Sequence, residues 1–247
     1  MKTRLFICVC ILFSLLSCSS SEKEQLETAL AFADTNRAEL EKVLEYYKND
    51  SLKLKAAIYL IENMPLYYTY KGSDLDSLHI ALEQYAVSDS YDKHLEYLKR
   101  FPYRNLFKEY DAKVITSEYL IENIEYSFKV WRETPWGKYV SFDNFCEFIL
   151  PYRIKDEPLT HWKKDFYHRF KPVLDSLYQG TDVVEATSCL SNYATSLHWK
   201  YQNELTGPHL SAQLLLELQL GDCTSIADFG CYMLRSVGIP AGIDTYL

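Results

Sequence analysis

The chain has 247 residues, with 26 Lys and Arg against 34 Asp and Glu, so its formal net charge is −8. A surface of this sign does not attract phosphate backbones, and the composition argues against nucleic acid as a partner. With 48% apolar residues, 15% aromatic residues and only 8 Gly and 8 Pro, the chain is neither disordered nor fibrous, and it is long enough for one large domain or two small ones.

The first 17 residues have the three-part layout of an export signal. Lys2 and Arg4 precede an apolar run over residues 5–16, and polar residues follow at 19–22. This run of 12 residues is shorter than the roughly 20 that a membrane-spanning helix needs. We therefore predict that residues 1–17 are a signal peptide and that the mature chain is exported.

The predicted signal ends at a cysteine. Leu15-Leu16-Ser17-Cys18 resembles a bacterial lipobox, in which a small residue precedes a cysteine that becomes the acylated first residue of the mature protein. The resemblance implies that Cys18 carries lipid, that residues 18–28 form a lipid-anchored tether, and that the membrane partner is the bacterial cell envelope, with the outer membrane as the expected site. The alternative is an ordinary cleaved signal in which Cys18 is an incidental thiol.

Residues 29–175 are predicted to be mainly helical, because apolar side chains recur every three or four positions. The predicted helices cover residues 26–48, 51–63, 74–87, 91–99, 117–131 and 141–150. Asp50 and Ser117 are placed to cap two of them, and Pro65 closes the second. The segments share no fixed repeat period, which excludes a solenoid.

A charged turn is predicted between the two prolines of residues 151–158. Tyr152 and Arg153 are expected to face Asp156 and Glu157 across this turn. We interpret the charges as a structural ion pair that joins the helical region to the C-terminal core. Binding of a substrate is the alternative.

Four cysteines remain after the predicted signal and its lipidation site: Cys146, Cys189, Cys223 and Cys231. Their spacing shows no disulfide framework, since no CxxC occurs. Cys223 and Cys231 are eight residues apart in one predicted helix, or about 12 Å along its axis, which exceeds the reach of a disulfide. We therefore predict three small buried residues and one thiol with a chemical role.

Cys223 is the thiol that the local pattern selects. Gly221 and Asp222 precede it, and a helical apolar stripe follows that stops at Gly238, after which a strand is predicted from Ile239. Free N–H groups and the dipole at a helix N-terminus favour a thiolate over a thiol. A thiolate attacks carbonyl carbon, and the same N–H groups can hold the resulting oxyanion. Asp222 is predicted to cap the helix; a buried structural cysteine is the alternative for Cys223.

The segment around Cys223 resembles the nucleophile helix of the transglutaminase-like superfamily within the papain-like fold. The matching pattern is Gly221-x-Cys223, Ala227 and Leu234-Arg235-x-x-Gly238-Ile239-Pro240-Ala241. Residues 56–65 and 145–159 also resemble segments that precede this core in exported Bacteroidetes proteins. The resemblance implies an α+β fold, with the helical region followed by the start of a papain-like core over residues 176–247. It also implies that Arg235 is a structural partner near the end of the helix.

The resemblance implies a Cys, His, Asp triad in that order along the chain. All six histidines precede Cys223, so we expect the chain to be a fragment whose triad His and Asp lie beyond residue 247. Other residues are weaker candidates: Trp199, Gln202, Gln213 or Gln219 near the oxyanion, and His161 with His168, which are too few ligands for zinc.

The implied reaction is acyl transfer or hydrolysis at a peptide or glutamine amide through a thioester at Cys223. A peptide or protein is therefore the expected substrate, and no cofactor or metal is expected. The alternative is a noncatalytic helical surface lipoprotein whose Tyr and Trp residues bind a glycan or a partner protein.

Overall fold

The computed structural model describes residues 23–86, 105–202 and 207–244. The chain divides into two compact units, Met1–Leu66 with Tyr110–Ser117, and Tyr67–Glu109 with Glu118–Leu247. The predicted signal peptide, Cys18 and the helix predicted at 91–99 lie outside the described residues. Within the described ranges, no helix combines the length and the hydropathy needed to cross a bilayer.

The first unit contains three helices among its described residues. They are α1 (23–33), α2 (Arg37–Tyr46) and α3 (Ser51–Asn63). The single helix predicted over 26–48 is broken because Asp34 adopts a left-handed conformation with φ of 55°. Asp50 caps α3 as predicted, accepting hydrogen bonds from the N–H groups of Leu52 and Lys53. Residues 23–28, which the sequence placed in a tether, form the first turns of α1.

Apolar side chains on one face of each helix form the core of the first unit, including Leu40, Val43, Leu60, Ile61 and Met64. The 110–117 segment joins this unit through polar contacts as well. Asn36 Nδ2 donates to the carbonyl oxygens of Ala112 and Ile115, at 3.0 and 2.9 Å.

The elements from residue 67 onward are short strands between longer helices. They are β1 (Tyr68–Lys71), α4 (Ser73–Ala86), β2 (Phe107–Tyr110), α5 (Ser117–Glu133), α6 (Phe142–Phe148), α7 (Trp162–Leu177), α8 (Val183–Ser196), β3 (Lys200–Tyr201), α9 (Ala212–Leu218), β4 (Leu220–Gly221) and α10 (Cys223–Ser236). Strand β1 pairs with β2, and β3 pairs in parallel with β4. The architecture is α+β, as predicted, and α4, α5 and α6 match their predicted ranges to within two residues.

Helix α10 lies in an aromatic core and packs against α7. The ring of Phe229 is 5.6 Å from that of Phe166 and 5.7 Å from that of Phe170, while Tyr232 lies 4.7 Å from Trp162. Because large aromatic rings bury much apolar area and constrain each other's orientation, these contacts hold the helix rigidly against α7.

The strand predicted at residues 239–243 does not form, and the prediction is wrong for this segment. The Ala241 N–H donates to the Phe148 carbonyl at the end of α6, and the Ala241 carbonyl accepts from Arg235. A strand requires the ladder of a neighbouring strand. Here the main-chain groups of Ala241 bond instead to a helix end and to a side chain.

Candidate functional site

A short parallel strand pair positions Cys223. The Lys200 N–H donates to the Gln219 carbonyl at 2.8 Å, and the Gln202 N–H donates to the Gly221 carbonyl at 3.0 Å. Helix α10 starts almost directly after this pair, with Cys223 as its first residue. The strand pair therefore determines where the helix begins, and with it the position of the thiol.

Gly221 and Asp222 shape the first turn of α10. A Cβ atom at Gly221 would lie 2.2 Å from the Cβ of Ser225, so a side chain does not fit at this position. The Asp222 carboxylate accepts hydrogen bonds from the N–H and the hydroxyl of Ser225, at 2.8 and 2.9 Å. The predicted cap at Asp222 is confirmed. Glycine precedes Asp222 because Ser225 leaves no room for a side chain at position 221.

Cys223 is exposed, and it differs in this from the other described cysteines. Cys146 and Cys231 are buried, Cys189 is half-buried, and all four thiols are free. Burial raises the pKa of Cys146 to about 12 and also raises the pKa of Cys231. Reagents in solution therefore reach the thiol of Cys223, while two of the other three are shielded and held in the protonated form.

The first turn of α10 also offers main-chain donors. The first four N–H groups of a helix have no acceptor within it. Ser225 N–H bonds to the Asp222 side chain, and Ile226 N–H bonds to the Asp222 carbonyl at 3.1 Å. Over the described ranges no acceptor faces the N–H groups of Cys223 and Thr224. These two donors and the helix dipole favour negative charge beside the thiol.

The other end of α10 is closed by a glycine. Gly238 has a φ of 76°, and a Cβ atom there would lie 2.6 Å from the Val130 carbonyl oxygen. The Trp136 indole N–H donates to the Gly238 carbonyl at 2.8 Å. Arg235 is buried and donates to the carbonyls of Ala241 and Arg153 at 2.9 and 3.3 Å. Arg235 therefore has the structural role that the resemblance implies.

The charged turn at residues 151–158 is a buried structural element. Arg153 and Glu157 approach to 3.9 Å, and both side chains are almost completely buried. The Glu157 carboxylate also accepts from the N–H groups of Ile154 and Lys155, and Arg153 donates to the Thr69 hydroxyl at 3.0 Å. The ion pair predicted between Arg153 and Glu157 is present, and its burial argues against contact with a substrate.

The aromatic and amide candidates for the oxyanion site have other roles. The Trp199 ring packs 4.9 Å from the ring of Phe229. Gln202 is tied to β4 by its main chain, but its side-chain amide donates to the Tyr85 hydroxyl. Gln213 is exposed on α9, and Gln219 takes a left-handed conformation at the end of that helix.

His161, which precedes α7, and His168, which lies within it, contact different partners. His161 hydrogen-bonds the Glu122 carboxylate at 2.7 Å, and His168 hydrogen-bonds the Tyr126 hydroxyl at 3.2 Å. No group of three or more His, Cys, Asp or Glu side chains suited to a metal occurs in the described part of the chain.

Sequence reasoning missed a pair formed by the half-buried His209 and the buried Asp228. His209 Nδ1 lies 2.6 Å from Asp228 Oδ2, and the His209 N–H donates to Asp156. Burial lowers the pKa of His209, but the hydrogen bond and charge of Asp228 outweigh it and raise the pKa above its ordinary value. Burial raises the pKa of Asp228. The available signal was an acid beside Phe229 in an otherwise apolar helical stripe.

Residues 175–245 match the family model of the Transglutaminase-like superfamily. This range contains α8, α9 and α10, and with them both Gly221 and Cys223. The chain therefore carries a transglutaminase-like superfamily domain in its C-terminal part, as the residues around Cys223 predicted. No curated protein and no solved structure matches the chain.

Proposed function

We propose that this protein is a cysteine acyltransferase or hydrolase of peptide or glutamine amides, with Cys223 as the nucleophile. One observation carries the proposal: within the segment that matches the transglutaminase-like family, the exposed free thiol is the first residue of a long, well-packed helix. A thiol needed only for packing has no reason to be exposed at that position.

The geometry supports a two-step reaction. The Cys223 thiolate attacks the carbonyl carbon of an amide, and the N–H groups of Cys223 and Thr224 stabilise the negative oxygen that forms. The carbon–nitrogen bond then breaks, the amine leaves with a proton, and a thioester remains on Cys223. Water or a second amine attacks the thioester, takes the acyl group and returns the thiol.

The leaving amine needs a proton donor. The resemblance implies a histidine that follows Cys223 in the chain. The role of this histidine is not assigned to His209, because His209 precedes Cys223 in the chain and is paired with Asp228, which points away from the thiol. Asp228 is five positions after Cys223, or about 140° around an α-helix, so the pair lies on a different face of α10 from the thiol.

An activated ester tests the nucleophile separately from the proton donor. Because its leaving group departs without a proton, p-nitrophenyl acetate requires only a positioned thiolate. We expect one acetyl group on Cys223 of the full chain, mapped by mass spectrometry after digestion at low pH. Cys223→Ala should abolish this modification, and Cys189→Ala, a matched change at a half-buried thiol, should leave it intact. Acetylation spread equally over Cys189 and Cys223 would contradict the assignment.

We also propose that Cys18 is acylated and that the protein acts in the bacterial envelope, where hydrolysis is favoured over crosslinking. The lipobox-like segment at residues 15–18 supports this proposal. Expression in a bacterial host with labelled fatty acid should label the protein, and Cys18→Ala should remove the label. Equal labelling of both proteins would contradict lipid attachment at Cys18.

A noncatalytic binding protein is the second candidate function. An apolar groove of about 700 Å³ runs along α10, and its lining includes Trp199, Ile226, Phe229 and Met233. Such a surface suits a partner protein or a glycan. A chain that binds partners but leaves Cys223 no more reactive than Cys189 would favour this function over catalysis.

A further inference from the structure

Strands β3 and β4 form a very short sheet. Each strand has two residues, and in the described part of the chain no third strand joins them. Two paired strands of this length are marginally stable on their own, and parallel pairing is slightly weaker than antiparallel pairing. Only Asp222 separates β4 from Cys223, so the position of the thiol depends on what holds this strand pair together.

Lys200 of β3 is bonded to the C-terminal end of α4. Its Nζ atom donates to the Tyr85 carbonyl at 2.7 Å and lies 4.1 Å from the centre of the Tyr85 ring. The last four carbonyls of a helix have no partner within it and carry the negative end of the helix dipole. Because α4 ends at Ala86, the ammonium group caps this helix and also makes a cation–π contact with the ring.

Tyr85 contacts the β3 segment at a second point. The side-chain amide of Gln202 donates to the Tyr85 hydroxyl at 3.3 Å, while the main-chain N–H of Gln202 donates to the Gly221 carbonyl at 3.0 Å. Tyr85 is buried and belongs to the same core cluster as Phe229 of α10. A side chain fixed in the core therefore holds both ends of the segment that pairs with β4.

We propose that Tyr85 and Lys200 are positioning residues for the nucleophile, an inference that rests on the proposed function. They hold β3 against β4, where the Gly221 carbonyl accepts from Gln202. This carbonyl lies in the peptide directly before the one that carries the Cys223 N–H. The direction of that N–H determines how well it donates to the oxyanion formed at Cys223. Loosening β3 should therefore misdirect the donor without removing the thiol.

Two reactions of the same thiolate separate the direction of this donor from the exposure of the thiol. Attack on p-nitrophenyl acetate passes through an oxyanion and releases p-nitrophenolate, whereas attack on iodoacetamide occurs at a saturated carbon and releases iodide without an oxyanion. The ratio of the first rate to the second, each measured at Cys223 of the full chain by mass spectrometry, therefore depends on the oxyanion donors. A general loss of stability or a change in access alters both rates together.

Lys200→Met should lower this ratio by about tenfold or more, because it removes both contacts of Nζ and a misplacement of about 1 Å can cost about a hundredfold in rate. Lys200→Arg can still donate to the Tyr85 carbonyl and lie over its ring, so it should restore most of the ratio. Lys129→Met is the matched control, since Lys129 is exposed and lies 4.7 Å from the centre of the Tyr167 ring. This control should leave the ratio unchanged.

Tyr85→Phe keeps the ring and the main-chain carbonyl and removes only the hydroxyl, so its effect on the ratio should be smaller than that of Lys200→Met. Hydrogen exchange measured by NMR gives an independent readout of the strand pair. In Lys200→Met the Gln202 N–H should exchange about tenfold faster, while the Met233 N–H in the buried half of α10 keeps its rate. Lys200→Gln, whose side chain is shorter, replaces Lys200→Met if that variant fails to fold.

The outcomes separate this inference from the proposed function. If Cys223 of the wild-type chain takes no acetyl group, the proposed function fails, and the inference fails with it. If Cys223 is acetylated but Lys200→Met leaves the ratio unchanged, only the inference is overturned. This holds even where Gln202 exchanges faster, because the contacts of Lys200 and Tyr85 would then stabilise the strand pair without positioning the donor.

Discussion

The two ends of helix α10 are built in opposite ways. At its N-terminus the thiol of Cys223 is exposed, and the N–H groups of Cys223 and Thr224 have no acceptor in the described ranges. At its C-terminus Arg235 is buried, and the carbonyl of Gly238 is bonded to a tryptophan. The groups with reactive potential therefore lie at one end, and the tertiary hydrogen bonds lie at the other.

This difference shows how a reactive group can be both open and fixed. A helix is stiff, so anchoring its buried end also restricts the position of the first turn two to three turns away. An exposed thiol on a loop would gain the same access to solvent but lose this positioning. The buried end should therefore dominate stability, while the exposed end should contribute little to it.

The largest loss of stability is expected when the buried Arg153–Glu157 ion pair near the C-terminus of α10 is broken. Glu157→Ala would leave Arg153 without its buried counter-ion and should lower the free energy of unfolding by about 3 kcal/mol or more. Urea unfolding followed by circular dichroism measures this change. Asp175→Ala breaks a pair whose acid is exposed, and should cost less than about 0.5 kcal/mol. Equal losses would mean that the buried pair does not support this end.

The second-largest loss of stability is expected from a substitution at Gly238, the glycine that closes α10. Gly238→Ala combines a left-handed conformation with a Cβ atom 2.6 Å from a carbonyl oxygen, and should cost at least about 2 kcal/mol. Gly230→Ala in the same helix is the control, because its Cβ atom meets nothing within 4 Å. Since Ala is the better helix former, this control should be neutral or stabilising by about 1 kcal/mol. A smaller loss in Gly238→Ala than in the control would contradict the role of the glycine.

The cap at the exposed end should have a smaller effect on stability. Asp222→Ala removes both hydrogen bonds to Ser225 and should cost about 1 kcal/mol. Asp222→Asn retains an acceptor oxygen and should keep most of this stability. The same unfolding measurement compares the two variants. If they lose stability equally, the charge of Asp222, and not its hydrogen bonding, stabilises the helix.

The smallest effect concerns pH. Because the pKa of His209 is raised above its ordinary value of 6.5, its contribution to stability is complete below pH 6.5 and is lost as pH rises through the pKa of the folded state. The wild-type Tm should therefore fall between pH 6 and pH 9 relative to that of His209→Gln. Parallel Tm curves for the two proteins would show that the pair has no such role.

Local patterns predicted much of α10 and of the helices before it. The helical period located α3 to within a residue, and an acid before a helix correctly predicted the caps at Asp50 and Asp222. Chain-local chemistry also placed Cys223 at a helix start. These features depend on neighbours within four or five positions, which is why sequence alone was sufficient.

Contacts between distant segments were not predictable in this way. Strands β3 and β4 have two residues each, too few for alternation to be visible. His209 meets Asp228 only because the chain between them folds back through α9 and β4. The break between α1 and α2 depends on the left-handed conformation of Asp34, and the residues around Asp34 give no strong signal for that conformation.

The exposure of Cys223 has a consequence for handling the protein. Oxidants attack thiols according to their accessibility and ionisation, so Cys223 should be oxidised to a sulfenic acid before the buried Cys146 and Cys231. Cys231 is two turns further along the same rigid helix, beyond the reach of a disulfide. In the absence of reductant, an oxidised Cys223 should therefore react with the Cys223 thiol of a second copy, releasing water and forming a disulfide-linked dimer. A non-reducing gel would show this dimer, and Cys223→Ala should abolish it.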